Sequence, residues 1–320
     1  MLALSVAATE PAPLDRPHHV VAESVRLVDF ALSSNDTVAV CSRGSGVSVM
    51  KLSTGDTVAR LPSDPPSSEP LACGGAGLVA AAGPGRMSIL LWKPPATEVL
   101  RTFVSRGERF AAVALSSDGN GLATADRAGT VTLWNADTGE LLHRLNGHIS
   151  SISALSFSPD GGRLLSAGTD NDICIWDTRT GQLARRIDAA THTVFAVTWS
   201  ADGQRFYSGG ASCTVIAWNA RTGERLTESP FGPHVITSLA ISPDGRTLAA
   251  GGFDPASNAY PADIRFHDSV TLAEQRTLRA HSGSIAAVGF SSDGGSLFSA
   301  SSAEPGIKVW SLTRLRQLGS

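Results

Sequence analysis

Four tryptophans, Trp92, Trp134, Trp176 and Trp218, stand 42 residues apart, and each closes a short run of alternating apolar residues. Another 42 residues toward the N-terminus, Met50 closes Val47-Ser48-Val49 in the same way. In the other direction Phe266 follows after 48 residues and Trp310 after 44 more. A fixed period of this length restricts a chain to a repeat architecture in which each unit packs on its neighbours. Seven units are expected.

Within each unit the period drops to two. Leu155-Ser156-Phe157, Val197-Thr198-Trp199, Leu239-Ala240-Ile241 and Val288-Gly289-Phe290 alternate as strands do, and Val131-Thr132-Leu133-Trp134 and Ile173-Cys174-Ile175-Trp176 follow later in their units. No segment offers a helical period of useful length. Turns punctuate the strands in register: Ser158-Pro159-Asp160-Gly161 and Ser242-Pro243-Asp244-Gly245 set φ with proline and reverse it with glycine, and Thr138-Gly139-Glu140, Thr180-Gly181-Gln182 and Thr222-Gly223-Glu224 mark a second turn. Each unit therefore has room for four short antiparallel strands, which cannot bury both faces alone but cover one another in a ring. The expected fold is all-β, a seven-bladed β-propeller with four-stranded antiparallel blades.

One unit carries more than a period. Gly147-His148, then Ile152, Leu155 and Phe157, then Ser158-Pro159-Asp160-Gly161, Ser166, Asp170 and Trp176-Asp177 resemble the WD40 repeat family, and the resemblance extends over roughly residues 18–318. It implies a structural hydrogen-bond network of His148, Ser166, Asp170 and Trp176 that ties loop, turn and inner strands together. His281, Ser299 and Trp310 repeat part of this set, with the aspartate position displaced into Ser301-Ser302-Ala303-Glu304. Other units depart from it: Trp134 is followed by Asn135, Trp92 by Lys93 and Trp310 by Ser311, while Ala128 and Ser212 stand where Asp170 stands. The resemblance also implies ring closure by both termini. The domain organisation is thus 1–17 as an N-terminal extension, with a closing strand sought within 14–23, and 18–320 as the WD40-like propeller; 315–318 competes for the same edge. The lack of clear extra sequence reads as an excised domain or a small stand-alone ring.

Composition restricts function more than it assigns it. A net charge of −3 argues against a domain built to neutralise phosphates, and no basic run or span of 18 apolar residues marks a nucleic-acid or membrane partner. The four cysteines are far apart and form no CxxC pair, so neither a zinc site nor a redox pair is supported, and free thiols point to an intracellular, cytoplasmic setting, with the nucleus also open. No cofactor and no metal site is expected. His148 with Asp170 as general base and Ser166 as nucleophile would make a hydrolytic set, but the repeat explains their spacing better, so no catalytic residue is assigned. Gly74-Gly75-Ala76-Gly77, Gly209-Gly210 and Gly251-Gly252 lack the Lys-Ser and helix of a phosphate loop and read as tight strand ends or bulges.

What remains is binding through loops, and the resemblance implies a scaffold for a protein or peptide partner. Candidate contacts are Arg106 and Arg109, which with Arg101 flank the third inner strand; Phe195, whose place between Val194 and Val197 suits either the channel mouth or the cover of an adjacent blade; and Phe253 and Tyr260, in the irregular insertion that lengthens one interval to 48 residues, which either anchor a partner or pin their own loop. The proline-rich stretch 62–70 reads as an exposed outer connection. Alternatives are a structural ring within a larger assembly, which would use its outer edges, and a ligand-binding or enzymatic propeller with polar groups converging on the channel.

Overall fold

The computed structural model describes residues 17, 19–32, 37–42, 46–51, 54–61, 70–96, 98–189, 192–255 and 262–312. Nearly every described element is a strand. The most regular sheet consists of Ile152–Phe157, Arg163–Gly168, Asp172–Asp177 and Leu183–Asp188, antiparallel and paired in chain order from the channel outward. Four more sheets, spanning 71–104, 110–145, 194–230 and 235–281, repeat this order.

The expectation of seven separate four-stranded blades is corrected here. The described strands form six hydrogen-bonded sheets, five of four strands and one of seven. The cause is the long strand His19–Leu32. Its first residues, His19, Val20 and Val21, pair with Val309, Lys308 and Ile307, and after a shift in register Leu27 to Leu32 pair with Thr37–Ser42. Because one unbroken strand serves both pairings, the repeat at each end of the chain loses its own boundary. The pairing that joins the two ends runs from His19 to Arg26, which faces Pro305, so it extends past the 14–23 stretch; residues 1–16 and 315–318 lie outside the described residues.

Sheets are held together by apolar side chains that cross from one to the next. Leu165, Ile173 and Ile175 of the 152–188 sheet pack on Val194, Trp199, Phe206 and Trp218 of the following one. Trp176, 1 % exposed, packs in the same way on Leu133 and Leu145 of the preceding sheet. Inside the seven-stranded sheet Phe30 and Met50 meet Phe298 and Ile307, so this sheet folds upon itself. Met50 thus takes the role that its spacing predicts. Arg163 adds a polar tie: it lies 4.7 Å above the Trp199 ring and donates to the Gly203 carbonyl at 2.7 Å, across the gap between two sheets.

Two turn devices recur with the repeat. Between first and second strands, Ser158 Oγ donates to Asp160 at 2.5 Å, and pairs at 200/202, 242/244 and 291/293 do the same. These serine hydrogen bonds, with a backbone N–H two residues on, hold Asp160, Asp202 and Asp293 below the usual carboxylate range. After the third strand, Asp177 accepts from the Thr180 N–H at 2.7 Å. Asn135 and Asn219 accept from Thr138 and Thr222 N–H in the same geometry, which explains why losing the aspartate after the tryptophan leaves the turn intact.

The first strand of each of five sheets carries a bulge near its start, at Ala111, Ser153, Phe195, Thr237 and Ala286. The bulge pushes backbone against the end of the second strand. A Cβ on Gly210 would lie 2.1 Å from the Thr193 carbonyl oxygen, and one on Gly252 2.0 Å from that of Val235. The paired glycines are therefore close-approach positions, as their sequence context suggests. Gly252→Ala is expected to lower stability by about 1–3 kcal/mol, because the obstacle is backbone rather than a movable side chain; urea denaturation followed by circular dichroism checks it, and an unchanged midpoint would contradict the close approach.

Candidate functional site

The inner strands enclose a channel of about 420 Å³, whose wall includes Val113, Leu155, Val197, Leu239 and Val288. At its loop end the bulge residues form one ring, each 42 residues from the next until the long interval. Their side chains are small at Ala111, Ser153, Thr237 and Ala286, and large only at Phe195. The two hydroxyls work between sheets: Ser153 Oγ donates to the Val194 carbonyl, and Thr237 Oγ1 donates to the Ile285 carbonyl at 2.6 Å. Phe195 has no hydroxyl to do so. Its ring stands 37 % exposed at the channel mouth, apolar surface placed where the fold itself prefers a small or hydrogen-bonding side chain.

Around this mouth lie the loops that carry the polar network. His148 Nδ1 is 2.8 Å from Asp170 Oδ2, His148 Nε2 is 2.8 Å from Ser166 Oγ, and Trp176 Nε1 donates to that same oxygen at 2.8 Å. The partners fix the protons. Asp170 only accepts, so Nδ1 carries the hydrogen; Ser166, already accepting from Trp176, donates to Nε2. The geometry matches an acid–base–nucleophile relay, yet Ser166 is fully buried and its oxygen is engaged on both sides, leaving no approach for a substrate carbonyl. These four residues pin the loop to the sheet, and Asp170 also accepts from the Ile149 N–H at 3.1 Å.

The seven-stranded sheet rebuilds this network with a longer acid. His281 Nδ1 lies 2.8 Å from Glu304, Nε2 lies 2.8 Å from Ser299 Oγ, and Trp310 donates to Ser299. Burial pushes His281 down to about 4 against the pull of its glutamate. Burial alone would raise Glu304, but hydrogen bonds from Lys308, Ser282 and His281 outweigh it and hold the carboxyl at about 2. At neutral pH the pair is a neutral imidazole donating to a carboxylate. Trp134 and Trp218 keep only the last link, to Thr124 and Ser208.

The other candidates separate. Arg106 and Arg109 are exposed in the loop before Phe110–Leu115, at the same end as Phe195, whereas Arg101 lies on the outer strand Val99–Val104 with its side chain beside Gly139. Phe253 ends the strand Thr247–Phe253, half-buried opposite Val235. Tyr260 lies outside the described residues, as do most of 62–70. Among the described residues no cluster of three His, Cys, Asp or Glu side chains has metal-binding geometry.

The WD domain, G-beta repeat family matches residues 139–177, 181–219, 226–255 and 273–311. The chain carries a WD40 repeat domain. No curated protein matches it in sequence. Among solved structures, a chain from "Crystal Structure of Mitotic Checkpoint Complex" is similar over 97 % of this chain and 99 % of that one, with a TM-score of 0.80 and 22 % identity, a likeness of fold. Against the repeat pattern, two features of the loop end escape a residue-by-residue reading. Arg127 and Ile149 reach the surface there, and Phe195 is the one large side chain among the five bulge residues described above; aligning the WD40 repeats at 42 residues exposes the Phe195 anomaly, while nothing in the sequence marks the other two.

The His281–Glu304 pair makes stability depend on pH in a defined direction. As pH falls from the ordinary histidine value of 6.5 toward 4, the unfolded chain binds a proton that folded His281 refuses, and between about 4.5 and 2 the Glu304 contribution is lost as well. Stability therefore decreases on acidification. Urea midpoints at about pH 7 and pH 5 are expected to differ more for the parent than for His281→Gln; equal differences would count against it. Asp170→Ala, which strands the His148 and Ile149 donors, is expected to cost about 1–3 kcal/mol in the same assay.

Proposed function

We propose that this protein is a protein-interaction scaffold that holds a protein or peptide partner at the loop end of its channel and performs no chemistry of its own. Phe195 carries the reading. An aromatic ring exposed at a channel mouth, where Ala, Ser, Thr and Ala occupy the equivalent positions and two of them tie sheets together, gives up an inter-sheet hydrogen bond in return for accessible apolar surface. Aromatic anchors of this kind dominate interface energetics because they bury large area with few rotors. A chain of the same fold occurs in a mitotic checkpoint complex, which is in keeping with a role within an assembly of proteins. The setting we propose is cytoplasmic. Cys174 and Cys213, neither in a disulfide, support it, with burial pushing the Cys174 thiol up to about 12 and so keeping it unreactive.

Phe195→Thr tests the proposal, because it supplies the hydroxyl that Thr237 already uses. Folding stability is expected to be retained or to rise slightly, while partner capture, mapped by cross-linking, falls about tenfold or more. Cross-links confined to the outer strands, and unaffected by the substitution, would instead favour a ring that assembles through its circumference.

A further inference from the structure

The 110–145 sheet has given up the network that pins its neighbour. In repeat register Trp134 stands for Trp176 and Thr124 for Ser166, but Arg106 replaces His148 and Ala128 replaces Asp170. An arginine facing an alanine has no carboxylate to bind, and Arg106 is exposed. Asp126 has taken over the turn, accepting from the Ala128 and Thr130 N–H groups, so its charge is engaged inside the loop.

Two further guanidinium groups share this sector. The Arg127 N–H donates to the Arg109 carbonyl at 3.2 Å, which joins their two loops, and both side chains are exposed. No described residue accepts a hydrogen bond from the side chains of Arg106, Arg109 or Arg127, in contrast to Arg163, Arg186 and Arg205, which are held by carbonyls or a carboxylate. Apolar surface borders them. Val104 is 60 % exposed at the end of the adjoining outer strand, and Ile149 is 82 % exposed on the loop against which Gly129 packs, where a Cβ would meet the Ser150 carbonyl at 2.7 Å.

We infer that this sector, Arg106, Arg109, Arg127, Val104 and Ile149, binds an acidic linear peptide that carries aliphatic side chains. The inference rests on the scaffold reading and names the chemistry of its partner. The three cations outnumber the two acids beside them, Glu108 and the turn-bound Asp126, and so select negative charge, and guanidinium groups bind carboxylates in a two-point geometry that ammonium groups do not match. Exposed aliphatic side chains on both flanks favour a peptide over a nucleic acid, whose backbone offers them nothing to bury.

The test uses the full chain and fluorescence anisotropy with a short labelled peptide of glutamates and aspartates interrupted by leucines. Binding is expected to weaken with salt, to fall at least about tenfold in Arg106→Glu/Arg109→Glu/Arg127→Glu, and to fall about threefold in Ile149→Ser, with unchanged circular dichroism. The inference is overturned if the parent does not bind, if either variant binds as the parent does, or if a leucine-free acidic peptide or single-stranded DNA binds as tightly. Such a failure, together with lost partner cross-links in Phe195→Thr, would remove the acidic-peptide chemistry and leave the scaffold reading standing.

Discussion

Packing between neighbouring sheets governs this molecule. A four-stranded sheet of six-residue strands has two faces and no layer of its own to cover them, so its tryptophan, isoleucine and leucine side chains leave water only when the next sheet arrives. Trp176 and Trp218 illustrate it: each belongs to one sheet by hydrogen bonding and is buried with the help of another. Stability is therefore shared around the ring, and the strand His19–Leu32 completes it by pairing in both directions.

On that frame the polar network is a local fastening that individual repeats can keep, modify or discard. The 152–188 sheet keeps it entire. The seven-stranded sheet substitutes Glu304 for the aspartate and recruits Lys308, at 2.6 Å, to keep the longer side chain charged. The 110–145 sheet retains a single tryptophan hydrogen bond and holds its turn through Asp126. Loss of the fastening does not open the sheet, since the strand ladder and the apolar interface remain. It frees the loop end instead, and there the unpaired arginines stand.

How far the site could be read in advance depended on the kind of signal. His148, Ser166, Asp170 and Trp176 were legible through the resemblance of their unit to the WD40 repeat, which implies their network. Phe195 was legible as a candidate from its place between Val194 and Val197, with the channel mouth and an adjacent blade both open, and its meaning came from the four small side chains at the other described bulges and from the carbonyls that Ser153 and Thr237 reach. Arg109 and Arg127 are neighbours because Phe110 pairs with Asp126 in the antiparallel ladder of the 110–145 sheet, a register that only the structure displays. Arg101, grouped with Arg106 by proximity in sequence, points elsewhere because it lies within the outer strand, where its side chain packs beside Gly139 of the next sheet.

The sequence by itself determined the all-β class, the period and the turn positions, since each follows from short-range alternation, turn chemistry and a repeated spacing, while the network residues followed from the resemblance to the WD40 repeat. Only the tertiary structure decided how many sheets there are and which surface residues lie together. Sheet count turns on whether one strand breaks between its two pairings, and His19–Leu32 does not; surface neighbourhood turns on loops brought together across sheets. Both are long-range outcomes of closing a ring, and a local pattern of apolar and polar residues carries no record of them.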